Sequence, residues 1–541
     1  MTANERKQPF DGMGTMLTSG FFGGILIAVN VVFQYCARAL QWDHRRRLKV
    51  SKELRMMESI ERADVVIVGA GAVGSAIARE LSRYELDVVL LDRNEDIGGY
   101  ASKCNSATLC SGHDAEPGSL EARLTLESNR AYDRICEDLD VEMKRIGMIY
   151  VAHNEDELKR LEEIREKAIK NGETDARMLS EDEVHEMEPS LNPDIIGGLL
   201  IPSEAIVDVM ELMLAYVENA MDNGVKVMLN TTATKIKTDP QTNRVEAVVT
   251  NRGEIPCRYV INAAAIYADK LAASVGLHEY TNYPRTGQFF VLDKNMPYKP
   301  SHIIVPLPTP LSRGRLLTPT IHGNLLVGPS ADNMTDREDT KTDKATMDSI
   351  IEDCRKMIPA VNPFDSVTQF CGVRPAIKPK ADWRIRAVES CKGYIEAVGI
   401  SQGISGSPAA ARYVAEILEK EGLELKEKTD WIKTRRAIKR FAKMTEEERD
   451  AAIKEDSRYG NVICRCETVT EAEIVQAIHK GPGARSVDAI KRRLRAGMGR
   501  CQGGFCGPRV VELLARELGV TEEEICKNQK GSEMLARVNR K

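Results

Sequence analysis

Residues 64–92, DVVIVGAGAVGSAIARELSRYELDVVLLD, constrain this chain more than any other stretch. Val65 to Val68 read as a short buried strand, and Gly69-Ala70-Gly71-Ala72-Val73-Gly74 follows at once as a GxGxxG turn. An apolar-periodic helix is expected from Ser75 to about Arg83, then a second strand from Val88 to Leu91 ending on Asp92. Each position has a physical job. Gly69 allows the tight turn, Gly71 lets the backbone approach a pyrophosphate, and Gly74 lets helix and strand pack closely. The helix N-terminus then turns its free N–H groups toward the phosphates. Asp92 lies 21 residues after Gly71, where a carboxylate can accept hydrogen bonds from an adenosine ribose. These parts in register predict a dinucleotide site in an α/β fold. No second GxGxxG occurs in the 541 residues, so separate nucleotide units for flavin and nicotinamide are not expected. The turn binds either NAD as electron acceptor or FAD reduced by substrate.

A chain of this length implies two or three domains. A net charge of −5 with 29% charged residues gives no electrostatic footprint for nucleic acid. Of the 13 cysteines, nine are scattered without a small disulfide framework, which points to a reducing compartment. Residues 12–37 carry no charge and include GFFGGILIAVNVVF, long enough as a helix to cross a hydrocarbon core of about 30 Å. Arg38, Arg45, Arg46, Arg47, Lys49, Lys52 and Arg55 follow this run, against only Arg6 and Lys7 before it. The asymmetry predicts a single-pass anchor with the remainder on the cytoplasmic side.

Further along, residues 154–171 predict a charged surface helix stopped by Gly172. Residues 225–229, 245–249 and 259–265 read as strands, the last running into alanines. From Tyr283 to Gly328, PRTGQFFVLDK and LLTPTIHGNLLVGPS look like strands of a second sheet, bracketed by Rossmann-type pieces. A substrate domain inserted in a cofactor domain is expected. Residues 419–458 are dense in charge, with Thr445 and Glu448 spaced as a capping box, and predict a helical linker.

With ASKCNSATLCSGHDAEPGSL, VINAAAIYAD and FCGVRP added, residues 64–418 resemble the FAD-dependent glycerol-3-phosphate dehydrogenase and 2-hydroxyacid oxidase group of the D-amino-acid-oxidase-like superfamily. The resemblance implies FAD as cofactor, hydride transfer from a substrate carbon, and a mostly antiparallel substrate sheet. It implies that Ser102, Lys103, Ala264, Gly403, Ile404 and Ser405 join Gly69, Gly71, Gly74 and Asp92 around FAD. The chain departs from the group in three places. Ala265 stands where glycine is usual, Cys110 where a histidine is frequent, and Ser401-Gln402-Gly403-Ile404-Ser405 where the loop typically reads SPGLT.

Near the C-terminus, Cys464-Arg465-Cys466 and Cys501 through Cys506 give C-x-C and C-x4-C, four thiolates for zinc or an iron–sulfur cluster. Structural zinc prefers C-x2-C knuckles, which neither pair matches. The surrounding segment resembles the bacterioferritin-associated-ferredoxin-like [2Fe–2S] domain, with Cys464, Cys466, Cys501 and Cys506 as ligands. Gly497, Gly499, Gly503 and Gly504 are expected to free N–H groups for the sulfurs. Lys491, Arg492, Arg493, Arg495 and Arg500 are expected to offset the cluster's charge.

These expectations divide the chain into an anchor and basic connector (1–62), an FAD-dependent oxidoreductase (63–425), a charged linker (426–458) and a [2Fe–2S] domain (459–541). Oxidising a CH–OH group needs a base, a hydride acceptor and a cation for the substrate's anionic tail. Arg374, in the family's G-(V/L)-R segment, is the expected anion anchor, His322 the first candidate for base and His113 the second. The expected substrate is a small anionic alcohol, foremost sn-glycerol 3-phosphate, and the acceptor a quinone or partner redox protein. The alternatives are oxidation of a 2-hydroxyacid, an amine or an amino acid, or a non-catalytic electron relay.

Overall fold

The computed structural model describes residues 62–309 and 312–536. The expected strand lies at the centre of the first sheet. Ala63–Val68 runs parallel to Gly253–Asn262 on one side and Val88–Leu91 on the other. Lys226–Met228 and Tyr394–Val398 extend the parallel sheet outward. Such strands are covered on both faces, so they read as continuous apolar runs, and all four residues of Val88–Leu91 are buried. Helices Ala72–Leu81, Leu120–Leu139, Val209–Asp222 and Gly403–Lys420 share one core with these strands. Ala76, Ala78, Ala409, Ala410 and Ala411 are all buried, and their small side chains let Ala72–Leu81 and Gly403–Lys420 approach closely.

The inserted sheet has nine strands. Thr281–Leu292 pairs antiparallel with Ser366–Lys378 along its whole length, which places Arg285 opposite Arg374. Leu316–Pro319 and Leu325–Gly328, both within the strand-like LLTPTIHGNLLVGPS, pair as a hairpin. Ile303–Val305 and Met148–Ala152 pair in parallel, while the other described pairings of this sheet are antiparallel. The surface helix forms at Glu155–Lys170, with the Asn154 side chain accepting the Glu157 N–H and Gly172 at φ +93° beyond it.

The connector differs from expectation. Only Glu446–Glu455 is α-helical, started by the capping box of Thr445 and Glu448. Residues 426–440 form an extended strap pinned to helix Val209–Asp222, where buried Arg435 meets Glu211 at 2.6 Å and Glu218 at 2.6 Å. Tertiary ion pairs hold this segment, so its charge density reflects docking rather than a solvated helix. Beyond it, the hairpin Val462–Cys464 with Val469–Thr470 and helices Glu471–His479, Val487–Leu494 and Gly507–Leu518 enclose a small apolar core of Val469, Ile474, Ile478, Ile490, Leu494 and Leu514. The charge-free run 12–37 and its basic flank lie outside the described residues. Among those described, no helix is long and apolar enough to cross a membrane.

Candidate active site and cysteine centre

The GxGxxG turn opens onto a cavity of about 250 Å³ lined by Gly71, Ala72, Val73, Ser102, Gly403, Ile404 and Ser405, among others. Its geometry requires the glycines. Gly69 sits at φ +110°, and a Cβ there would lie 2.5 Å from the Ala263 carbonyl oxygen. A Cβ on Gly74 would overlap the Gly69 carbonyl oxygen, and one on Gly71 would come within 3.1 Å of Ser102 Oγ. Two helices, Ala72–Leu81 and Gly403–Lys420, begin at this cavity from Gly71 and Gln402, neither of which supplies a side-chain cap. Apart from the Ala72 N–H, which donates to Ser102 Oγ at 3.0 Å, their first-turn N–H groups suit an anionic or carbonyl-rich ligand. Asp92 accepts the Ala70 N–H at 2.8 Å and the Asn94 N–H at 2.8 Å, so it also pins the turn. The residues present therefore fit a dinucleotide. Ala264 and Lys103 do not line the cavity; their neighbours Ala263, Ala265, Ser102 and Cys104 do. Lys103 faces Arg492, Asp488 and Lys527 of the C-terminal domain instead. Ala265 adopts φ +47°, a left-handed conformation in which glycine is favoured.

Two cations line the substrate end of the cavity. Arg374 donates to the Ser330 carbonyl at 2.9 Å, while its buried Nε has no partner. Burial, then Arg285 and Arg313, pull its pKa down to about 10, outweighing the opposing charge of Asp332. Arg313 is ion-paired with Asp114 and donates to Cys110 Sγ at 3.4 Å. Burial and then Glu204 push the Cys110 thiol up to about 12, so it is neutral and no base at physiological pH.

Of the two candidate bases, the structure separates His322 from the site. It pairs with Asp208 at 2.8 Å and does not line the cavity. Asp208 caps helix Val209–Asp222 through the Met210 and Glu211 N–H groups, so His322 ties a hairpin to a helix end. His113 is buried one hydrogen bond behind the cavity. Its Nε2 lies 2.8 Å from the Tyr150 hydroxyl, and its Nδ1 lies 3.0 Å from Glu204. Tyr150 lines the cavity, so Glu204, His113 and Tyr150 form a chain that reaches it. Sequence reasoning missed Tyr150, Glu204 and Arg313. Tyr150 reads as an ordinary core residue of a strand and Arg313 as a loop arginine, and only the packing of distant strands brings them together.

The four C-terminal cysteines meet as two pairs, one member from each loop. Cys466 Sγ lies 3.7 Å from Cys501 Sγ, and Cys464 bonds Cys506. Two pairs, rather than three or four thiols converging on one point, match a binuclear cluster in which each iron takes two thiolates. Cys464 is drawn down to about 6 by its bond to Cys506 and by the N–H groups of Gly497, Glu467 and Cys466. The Phe505 N–H, and after it the Gly503 N–H, lower the Cys501 thiol in the same way. Gly499 has another role, since a Cβ there would overlap Cys466, and the Gly504 N–H donates to the Cys501 carbonyl at 2.9 Å. The basic residues do not gather round the sulfurs. Arg492 and Arg493 bond Asp96, Arg495 bonds Glu467, and Arg500 bonds Asp293. Lys491 lies near Asp488, Lys527 and Lys103, away from the cysteine loops. Their charges answer carboxylates, mostly across the seam to the larger domain.

This fold and cavity define a flavin-dependent oxidoreductase, and the chain belongs to that family: the FAD dependent oxidoreductase pattern matches residues 64–417. Residues 462–516 match the BFD-like [2Fe-2S] binding domain. A glycerol 3-phosphate dehydrogenase of Caloramator mitchellensis is 40% identical over 87% of this chain and 98% of its own. A glycerol 3-phosphate oxidase of Mycoplasma genitalium is 29% identical over 69% of this chain and 98% of its own. Among solved structures, L-alpha-glycerophosphate oxidase of Mycoplasma pneumoniae with FAD bound superposes with a TM-score of 0.65 at 28% identity, covering 69% of this chain and 98% of that one.

Proposed function

We propose that this chain oxidises sn-glycerol 3-phosphate to dihydroxyacetone phosphate and delivers the electrons through its C-terminal cysteine centre to a quinone or a partner redox protein. The observation that carries the reading is the buried, unpartnered Nε of Arg374 beside Arg313 in a cavity that begins at the nucleotide turn. A buried guanidinium N–H without an acceptor is costly, and a phosphate bound there removes the cost. The dehydrogenase and oxidase relatives support the same substrate. Bound FAD supplies the hydride acceptor, and a [2Fe–2S] cluster held by Cys464, Cys466, Cys501 and Cys506 supplies a one-electron carrier. Arg374 and Arg313 hold the phosphate and so fix the distance from it to the reacting carbon. The Tyr150 hydroxyl takes the substrate's hydroxyl proton and passes its own to His113 Nε2, while Glu204 holds Nδ1 and fixes the ring. The proposal includes residues 12–37 as a membrane anchor, with the catalytic part on the cytoplasmic side, supported by the charge-free run and the basic residues after it.

The deciding experiment is an anaerobic substrate panel of sn-glycerol 3-phosphate, 2-hydroxyglutarate, glycine and L-proline, followed by flavin absorbance. Rapid bleaching by sn-glycerol 3-phosphate alone is the expected result. Bleaching by another member with glycerol 3-phosphate inert would overturn the substrate assignment, and no bleaching by any would favour the electron relay.

A further inference from the structure

The loop that carries the nucleotide turn's acidic residue also carries the docking site of the C-terminal domain. On one side, residues 92–102 are fastened to the turn. Asp92 accepts the Ala70 N–H, Gly98 donates to the Ala70 carbonyl at 2.9 Å, and Ser102 Oγ accepts the Ala72 N–H at 3.0 Å. On the other side, the same loop receives helix Val487–Leu494. Asp96 accepts four hydrogen bonds from two guanidiniums: Arg492 Nε at 3.1 Å and Nη2 at 2.7 Å, and Arg493 Nη1 and Nη2 at 2.8 Å each. Ser486, the helix N-cap, donates to Glu95 at 2.8 Å. Asp96 is 2% exposed and Arg493 6%, so this junction is dry. A buried bidentate pair of this kind contributes little net stability compared with apolar packing. What it does supply is one fixed register, because both arginines converge on Asp96 Oδ2 while Arg493 also reaches Oδ1.

We propose that Asp96 is a positioning residue for electron transfer: it locks the cysteine-bearing domain onto the flavin-binding loop, so that the flavin of a chain empties into the cluster of that same chain. The inference rests on the function proposed above. Oxidising one CH–OH group to a carbonyl releases two electrons and two protons. The carbon's hydride carries two electrons and one proton to the flavin, and the hydroxyl proton leaves through Tyr150. A [2Fe–2S] cluster would accept one electron at a time and so be reduced and reoxidised twice per substrate, the two electrons passing to one quinone or to two equivalents of a one-electron protein acceptor, with the flavin's proton released to solvent as it is reoxidised. Each substrate therefore needs the flavin-to-cluster geometry to be right twice, which gives the lock its value.

The test is Asp96→Asn in the full chain, loaded with both cofactors and mixed anaerobically with sn-glycerol 3-phosphate. Flavin bleaching is followed by absorbance and cluster reduction by electron paramagnetic resonance on rapidly frozen samples. We expect bleaching to stay within about twofold of wild type, while cluster reduction slows about tenfold or more, because breaking a buried pair shifts a docking equilibrium by more than a decade. Asp96→Glu, which keeps the charge, should restore most of the rate. Wild-type kinetics in Asp96→Asn at full flavin and iron content would overturn the proposal. Should Asp96→Asn fail to fold, Arg492→Gln removes half the lock and should slow cluster reduction alone; equal slowing of both signals there would also overturn it. If the wild-type flavin is not bleached by the substrate, the function proposed above fails and not the lock, whose docking can still be read from protection of helix Val487–Leu494 against hydrogen exchange.

Discussion

At the scale of single residues, the site is defined by unmet electrostatic demand. Arg374 faces Arg285 across the strand pair and Arg313 across the cavity, and its Nε stays unpartnered. Arg374→Ala is therefore expected to lower kcat/KM for sn-glycerol 3-phosphate by roughly two orders of magnitude, the loss of a charged hydrogen-bond partner worth about 3 kcal/mol. Steady-state kinetics at saturating acceptor checks this. His113 gives a pH signature. Burial alone lowers its pKa, but Asp114 and Glu204 outweigh burial and the net direction is upward. A raised value means that the folded state holds the proton more tightly than the unfolded chain. The stabilisation is full below the ordinary histidine value of about 6.5 and fades as pH rises through the raised one. Melting temperature should fall as pH rises above about 6.5 and through the raised value, and that portion of the slope should vanish in His113→Asn. At Ala265 the backbone pays for a left-handed conformation, so Ala265→Gly should gain up to about 1 kcal/mol in denaturant unfolding. An unchanged midpoint would mean that the strain is relieved elsewhere.

At the scale of elements, the N-terminal ends of Ala72–Leu81 and Gly403–Lys420 meet at one cavity, although Gly403 lies 330 positions after Val73. The strand–turn–helix unit needs mostly local rules, because Gly74 is required by the Gly69 carbonyl of the same turn, although Gly69 also makes room for the Ala263 carbonyl of a distant strand end. The cysteine loops obey a different rule. Cys464 and Cys466 flank a hairpin end, Cys501 and Cys506 precede helix Gly507–Leu518, and the two loops cross to pair their thiols. Cys501→Ser is expected to leave flavin bleaching intact while removing the [2Fe–2S] resonance and slowing electron delivery to the acceptor. Zinc in the purified wild type, with turnover untouched in the mutant, would make this domain a structural clip.

At the scale of the whole molecule, the larger domain and the cysteine-bearing domain are joined at several points, Arg500 with Asp293 among them. Arg435 fastens the connecting strap to Glu211 and Glu218, and Arg492 with Arg493 fastens the last domain to Asp96. Residues 12–37, outside the described residues, are the proposed anchor. A chain beginning at Arg62 is expected to be soluble and to keep its flavin, while the full chain partitions with membranes and resists high-salt washing. Fractionation with a flavin assay on both forms decides the matter, and full-length protein released by salt would end the anchor proposal.

Much of this arrangement was legible in residue order, for a physical reason. The nucleotide turn, the buried parallel strands, the Thr445–Glu448 cap and the cysteine spacings depend on neighbours within a few positions, and short-range geometry writes itself into the sequence. Gly71, Ser102, Gly403, Ile404, Ser405 and Arg374 came to the cavity as their motifs implied. His322 did not, since a lone histidine on a hairpin carries no local mark of which surface its strand will face, and tertiary packing gave it Asp208. The basic run from Lys491 to Arg500 shows the same limit. Charge is visible in sequence, but its counter-charges lie hundreds of residues away at Asp96 and Asp293. The proton chain from Glu204 through His113 to Tyr150 likewise exists only once strands Ala205–Val207 and Met148–Ala152 are packed beside the loop at Cys110. The sequence by itself determined the fold class, both cofactor motifs and one arm of the anion site. Only the tertiary structure decided which polar groups face one another, because that depends on register and packing between segments far apart in the chain.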